Sequence, residues 1–100
     1  MDQRRIGYIR VNTNDENADD QLKGVELVKV FTDTCSDSDT ERPALKELIE
    51  YCTEGDEVHI QDKSRLSNND MEMNVIVREL NQKGIDVYFH KEDLLFIGGF

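Results

Sequence analysis

Apolar residues in this chain fall into short runs separated by polar stretches, and the spacing within the runs changes along the sequence. Ile6 to Val11 is a β-branched and aromatic run, bounded by Arg5 and by the polar residues 12–20, and predicts a buried strand. Val28-Lys29-Val30-Phe31-Thr32 partly alternates and predicts a second strand. Between them residues 15–23 fit a helix with a thin apolar stripe, ending at Gly24. Residues 33–40 are rich in Asp, Ser and Thr and predict a loop. Pro43 then suits a first helical turn. Leu45, Leu48, Ile49 and Cys52 follow at i, i+3, i+4, i+7, one helical stripe that stops before Gly55-Asp56.

The same alternation continues to the end. Val58-His59-Ile60 predicts a third strand, and residues 62–69 a polar loop. Asn68, Asn69 and Asp70 can each cap the helix that Met73, Ile76, Val77 and Leu80 mark out, and Gly84 stops it as a C′ glycine. Ile85 to Phe89 predicts a fourth strand, and residues 94–97 a short fifth. Strands alternating with helices imply an α/β fold with a largely parallel sheet of four to five strands and helices on both faces. One hundred residues make a single domain, 1–100.

Charge changes the picture. Twenty-two acidic residues against twelve basic give a net charge of −10. Affinity for nucleic acid comes largely from Lys and Arg neutralising phosphates, so this balance implies weak or no DNA binding by the chain alone. The acidity serves solubility, or a surface that meets a basic protein. No apolar stretch is long enough for a membrane helix, and no signal peptide opens the chain. Cys35 and Cys52 have neither metal-ligand spacing nor a disulfide framework, which fits a reducing, cytoplasmic compartment. His59 and His90 are expected at half-exposed strand positions.

Arg10, Arg42 and Arg65 lie in or beside turns that follow strands or begin helices. In open α/β sheets ligands sit outside the carboxyl ends of the strands, and a helix N-terminus favours an anion. Spacing alone does not bring the three together.

Six ordered segments carry a more specific signal: Ile6-Gly7-Tyr8-Ile9-Arg10-Val11, Gln21-Leu22, Val30-Phe31-Thr32-Asp33, Glu41-Arg42-Pro43-Ala44-Leu45, Arg65-Leu66 with Asn69, and Phe89-His90-Lys91-Glu92-Asp93-Leu94-Leu95-Phe96. In order and spacing they resemble the catalytic domain of serine site-specific recombinases, the resolvase/invertase family, and most of all transposon resolvases. The resemblance implies phosphoryl transfer to a serine without metal or cofactor, with arginines neutralising the DNA phosphate. Arg10, Gln21, Asp33, Arg42 and Arg65 are the phosphate-pocket positions it retains. Asn12 stands at the position of the nucleophilic serine, and a carboxamide cannot attack.

Other departures gather around it. Glu16 replaces a glutamine, Ser64 an aspartate, Asn68 an arginine, and Asp37 a glycine. The family's long dimer helix and helix-turn-helix domain have no counterpart before Phe100.

These features together predict an inactive relative of a recombinase, a regulator in a phage, plasmid or other mobile element. It would act through protein contacts as inhibitor, directionality factor or decoy. Its partner would be a recombinase or a recombination complex. Homo-oligomerisation through a sheet edge or residues 94–100 stays open. Two alternatives remain. One is a strand-transfer enzyme with its nucleophile relocated to Ser36, Ser64 or Ser67. The other is an anion or nucleotide sensor built on the retained arginines.

Overall fold

The computed structural model describes residues 3–12, 22, 24–35, 43–66 and 69–98. In chain order these form β1 (Arg5–Asn12), β2 (Lys29–Cys35), α1 (Pro43–Tyr51), β3 (Glu57–Ile60), α2 (Lys63–Leu66), α3 (Asp70–Gln82), β4 (Asp86–Phe89) and β5 (Leu94–Phe96). The five strands make one sheet in the order β2-β1-β3-β4-β5. β2, β1, β3 and β4 run parallel, and β5 pairs antiparallel with β4 at the edge. The expected α/β fold with a largely parallel sheet is therefore the observed one.

Register decides what each face carries. Ile6 pairs with Val58 and Tyr8 with Ile60; Val58 in turn pairs with Val87 and Ile60 with Phe89. These six side chains are completely buried. Side chains two apart share a face, so all six point the same way. They form one core with Phe31, with Leu45, Leu48 and Cys52 of α1 and the turn after it, with Leu66 of α2, and with Met73, Ile76, Val77 and Leu80 of α3. The described helices thus pack on a single face.

The described residues Leu22 and Leu27 of the β1–β2 connection lie on the other face. With β2 on one side of β1 and β3 on the other, right-handed crossovers are expected to run on opposite faces. The two leucines agree. A Cβ on Gly7, on the face away from Ile6 and Tyr8, would stand 2.6 Å from Leu27 Cδ1 and 3.1 Å from Leu22 Cδ1. Glycine at position 7 is what lets these leucines lie on the strand. The expected helix 15–23 lies outside the described residues apart from Leu22, whose φ of 60° is left-handed rather than helical.

Local signals explain the helix ends. Asn69 Oδ1 accepts from the N–H groups of Met71 and Glu72 and is the N-cap of α3, chosen from three competent neighbours. At the other end Gly84, at φ 80°, donates to Asn81 O, and Ile85 N–H donates to Leu80 O. That pair of bonds is a Schellman cap, and Leu80 and Ile85 are both fully buried against it.

Two expectations are corrected. Residues 62–69 are not simply a loop, because Lys63–Leu66 is a helical turn anchored by fully buried Leu66. One apolar residue leaves no period to read. Strand β2 also continues past Thr32 through Asp33 to Cys35, into the segment expected to be loop. Asp33 is polar yet only 3% exposed, because its oxygens are satisfied inside the protein.

A second buried carboxylate closes the opposite edge. Arg4 Nε and Nη2 donate to Asp56 Oδ1 and Oδ2 at 2.8 and 2.6 Å, and Thr53 N–H donates to Oδ2 at 2.8 Å. Burial alone would raise the Asp56 pKa, but the Arg4 and Thr53 bonds outweigh it and hold the carboxyl below its usual range.

Candidate functional site

The strand order reverses direction between β1 and β3, since β2 lies on one side of β1 and β3 on the other. In doubly wound sheets ligands bind at the carboxyl ends of the strands flanking such a switch point. Here that edge is formed by the end of β1 at Asn12, the end of β2, the first turn of α1, and α2 directly after β3. α2 packs against both β1 and β3.

Arg10 pairs with Asp33 across β1 and β2, and Asn12 pairs with Cys35 two residues nearer the edge. Arg10 is half-buried and supplies a fixed positive charge there. Ser64 and Arg65 are carried on α2. The fold thus brings the backbone positions of Arg10, Asn12, Asp33, Ser64 and Arg65 to one edge. Glu16, Gln21, Asp37, Arg42 and Asn68 lie outside the described residues, as do Ser36 and Ser67.

Asp33 has a definite role in this edge. Its Oδ2 accepts the Tyr8 hydroxyl at 2.7 Å and the Leu45 N–H at 3.1 Å, and its Oδ1 accepts the Ala44 N–H at 2.8 Å. The carboxylate therefore caps the first turn of α1 from a neighbouring strand, where unpaired N–H groups and the helix dipole both favour negative charge. Pro43 opens that helix. Asp33 sets the position of the chain entering α1, rather than offering a free carboxylate to a ligand.

Tyr8 was visible in the sequence only as part of an apolar run. It is fully buried, and its hydroxyl matters only because the parallel register places Asp33 within reach. Gln61 was also missed: its Oε1 accepts the Leu22 N–H at 2.9 Å and joins the end of β3 to the β1–β2 connection. His59 is 6% exposed, a correction to its expected half-exposed position. It is covered because Tyr88 and His90 from the next strand and turn stack beside it. Cys52 is buried, and burial followed by the nearby Asp56 pushes its thiol up to about 11, so it is no nucleophile at neutral pH. Among the described residues no group of three or more His, Cys, Asp or Glu could hold a metal. No helix among them is long and apolar enough to cross a membrane.

A mostly parallel α/β sheet carries Arg10 and the helix-positioning Asp33 at its switch point. The chain belongs to the resolvase N-terminal domain family, the catalytic domain of serine recombinases, which it matches over residues 5–96. It is 41% identical over 98 residues to the Transposon Tn501 resolvase of Pseudomonas aeruginosa, covering 98% of this chain and 53% of that protein. It is 42% identical to the Transposon Tn21 resolvase of Escherichia coli with the same coverage. A DNA-invertase of Enterobacteria phage P7 is 34% identical over 84 residues, covering 81% of this chain and 45% of that protein. The chain spans about half the length of the curated relatives it matches. In fold it is similar to the N-terminal catalytic domain of TP901-1 integrase, with a TM-score of 0.75 at 21% identity, covering 93% of this chain and 81% of that one.

Proposed function

We propose that this domain works in DNA recombination without cutting DNA itself, through contact with a competent recombinase or a recombination complex. The observation that carries this reading is Asn12, the last residue of β1, at the switch-point edge beside Arg10 and Asp33. It occupies the position that the family resemblance gives to the nucleophilic serine. Removing the nucleophile of a concerted site costs about 10⁶-fold in rate. The net charge of −10 adds to this, because it opposes DNA binding by the domain alone and favours a protein surface of opposite sign. Asp33 and Tyr8 still hold the start of α1, so the architecture around the site survives the loss of its reactive group.

The test combines the chain with a transposon resolvase of the Tn21 type and a supercoiled plasmid carrying two recombination sites. The expected result is a dose-dependent change in the partner's recombination rate, with no covalent link between this chain and DNA. A covalent adduct on this chain, or an unchanged partner rate at every ratio, overturns the proposal. One observation favours a second reading: α2 carries Ser64 to the same edge, against β1. An adduct mapped to Ser64 by mass spectrometry would establish it.

A further inference from the structure

On the sheet face away from the described helices, two histidines touch. His59 Nδ1 lies 2.7 Å from His90 Nε2. The rings are 5.0 Å apart, with Tyr88 edge-on to His90 at 4.6 Å and tilted to His59 at 5.7 Å. Two nitrogens at this separation share one proton. Glu57 determines which one carries it. Its Oε1 stands 2.5 Å from His59 Nε2, off the ring N–H axis, so the contact is one of charge more than a directed hydrogen bond. A carboxylate there favours the tautomer with the proton on Nε2. Nδ1 of His59 is then the acceptor and His90 Nε2–H the donor.

A first added proton, on the far nitrogen of His90, leaves this arrangement intact. A second, on His59 Nδ1, sets two N–H groups head to head. Burial resists charge on both rings, Arg5 opposes it on His59, and charge on His59 opposes it on His90; Glu57 alone favours it. Among the described residues, Glu57 is the one group that raises either imidazole. Gly7 of β1, opposite His59, has no side chain, and Leu95 of β5, opposite Tyr88, has no charge. Asp93 accepts the Tyr88 hydroxyl, Glu92 accepts the Lys63 N–H, and Asp86 at the far end of β4 accepts from Gln3 and Gly98. Lys91 adds only positive charge.

What the pair holds is the turn between β4 and β5. His90 N–H donates to Ile60 O, Lys91 N–H to Gln61 O, and Asp93 sits at a left-handed φ of 52°. Beyond it β5 is three residues long, at the sheet edge, with Leu94 and Leu95 exposed. We propose that the His59–His90 contact is an acid-sensitive latch, which holds the β4–β5 turn and edge strand β5 on the sheet at neutral pH and releases them when both imidazoles are protonated. The latched form binds fewer protons than the released form. Acidification therefore shifts the balance toward release by up to about tenfold per pH unit for each proton taken up.

The experiment is amide hydrogen exchange on the full chain at pH 7.5 and pH 5.0, corrected for the intrinsic rate, with an NMR titration of both imidazoles. Protection across the β4–β5 pair should fall at least tenfold more than protection across β1–β3. The variant His90→Gln, which cannot take up a proton, should remove that difference. Equal pH dependence in the two regions overturns the latch. So does a native titration in which both rings protonate independently at the ordinary histidine pH while β5 stays protected, a result that does not depend on the variant folding.

Discussion

Replacing Asp33 with asparagine tests the central claim about the candidate site, that this carboxylate builds the edge rather than binding a ligand. Asp33 accepts three hydrogen bonds, from Tyr8 Oη, Ala44 N and Leu45 N, and is 3% exposed. Asparagine has nearly the same shape but one acceptor atom. If its oxygen faces Leu45 and Tyr8, its amide meets the Ala44 N–H, and two donors confront each other. If it is turned round, Tyr8 can rotate its hydroxyl to accept, but the Leu45 N–H loses its partner. Hydrogen bonds to a charged group contribute about 1.5–3 kcal/mol each, and an unsatisfied buried donor costs about 1–3 kcal/mol. One lost bond plus the lost charge at the helix start gives about 2–4 kcal/mol for Asp33→Asn. Tyr8→Phe removes one of the three bonds and leaves the carboxylate two donors, so it should cost about 1–2 kcal/mol.

Urea unfolding followed by circular dichroism reads both changes as shifts in midpoint at constant slope. The double variant completes a cycle. Its cost should fall short of the sum of the singles by about 1 kcal/mol, because the two groups share one bond. A cost below about 0.5 kcal/mol for Asp33→Asn, the range of an ordinary surface substitution, would refute the reasoning. Asp33 would then be free to serve a ligand.

Three further outcomes are expected. The Arg4–Asp56 pair contributes stability above the unfolded carboxyl pKa of about 3.9, and loses it as pH falls through the lower folded value; the stability gap between the native chain and Arg4→Gln should therefore be constant from pH 7 to 5 and close below about pH 4, and a gap that persists at pH 2 would contradict the pairing. Asn69→Ala removes the acceptor of two N–H groups at the start of α3 and should lower stability by about 1 kcal/mol, whereas Asn69→Asp should restore most of it. At pH 8 the Cys52 thiol should react with a chromogenic disulfide reagent only as fast as the protein unfolds, so rapid labelling of Cys52 in the native state would show that the thiol is neither buried nor raised.

Regular patterns were legible because burial repeats at the period of the element. The stripe Met73, Ile76, Val77, Leu80 and the stop at Gly84 described α3 almost to the residue. The run from Ile6 to Val11 likewise located β1. A single turn such as α2 gives no such period, and Leu66 alone could not announce it. The extension of β2 through Asp33 was hidden for another reason: an aspartate reads as loop until the groups that satisfy it are known. Six motif segments in order were enough to indicate the family, which the match over residues 5–96 bears out.

By itself, then, the sequence determined the alternation of strands and helices, the glycine stop of α3, the family frame and the presence of Asn12 at the end of the first strand. The tertiary structure decided which polar groups meet. Tyr8 reaches Asp33 across 25 residues, Arg4 reaches Asp56 across 52, and His59 reaches His90 across 31. Each pair exists only because parallel pairing sets those strands, and the turns at their ends, side by side in the order β2-β1-β3-β4-β5. Hydrophobic burial is a property of one residue on one face and leaves a periodic trace in the chain. A hydrogen bond between distant side chains depends on register and distance, which the folded sheet alone supplies.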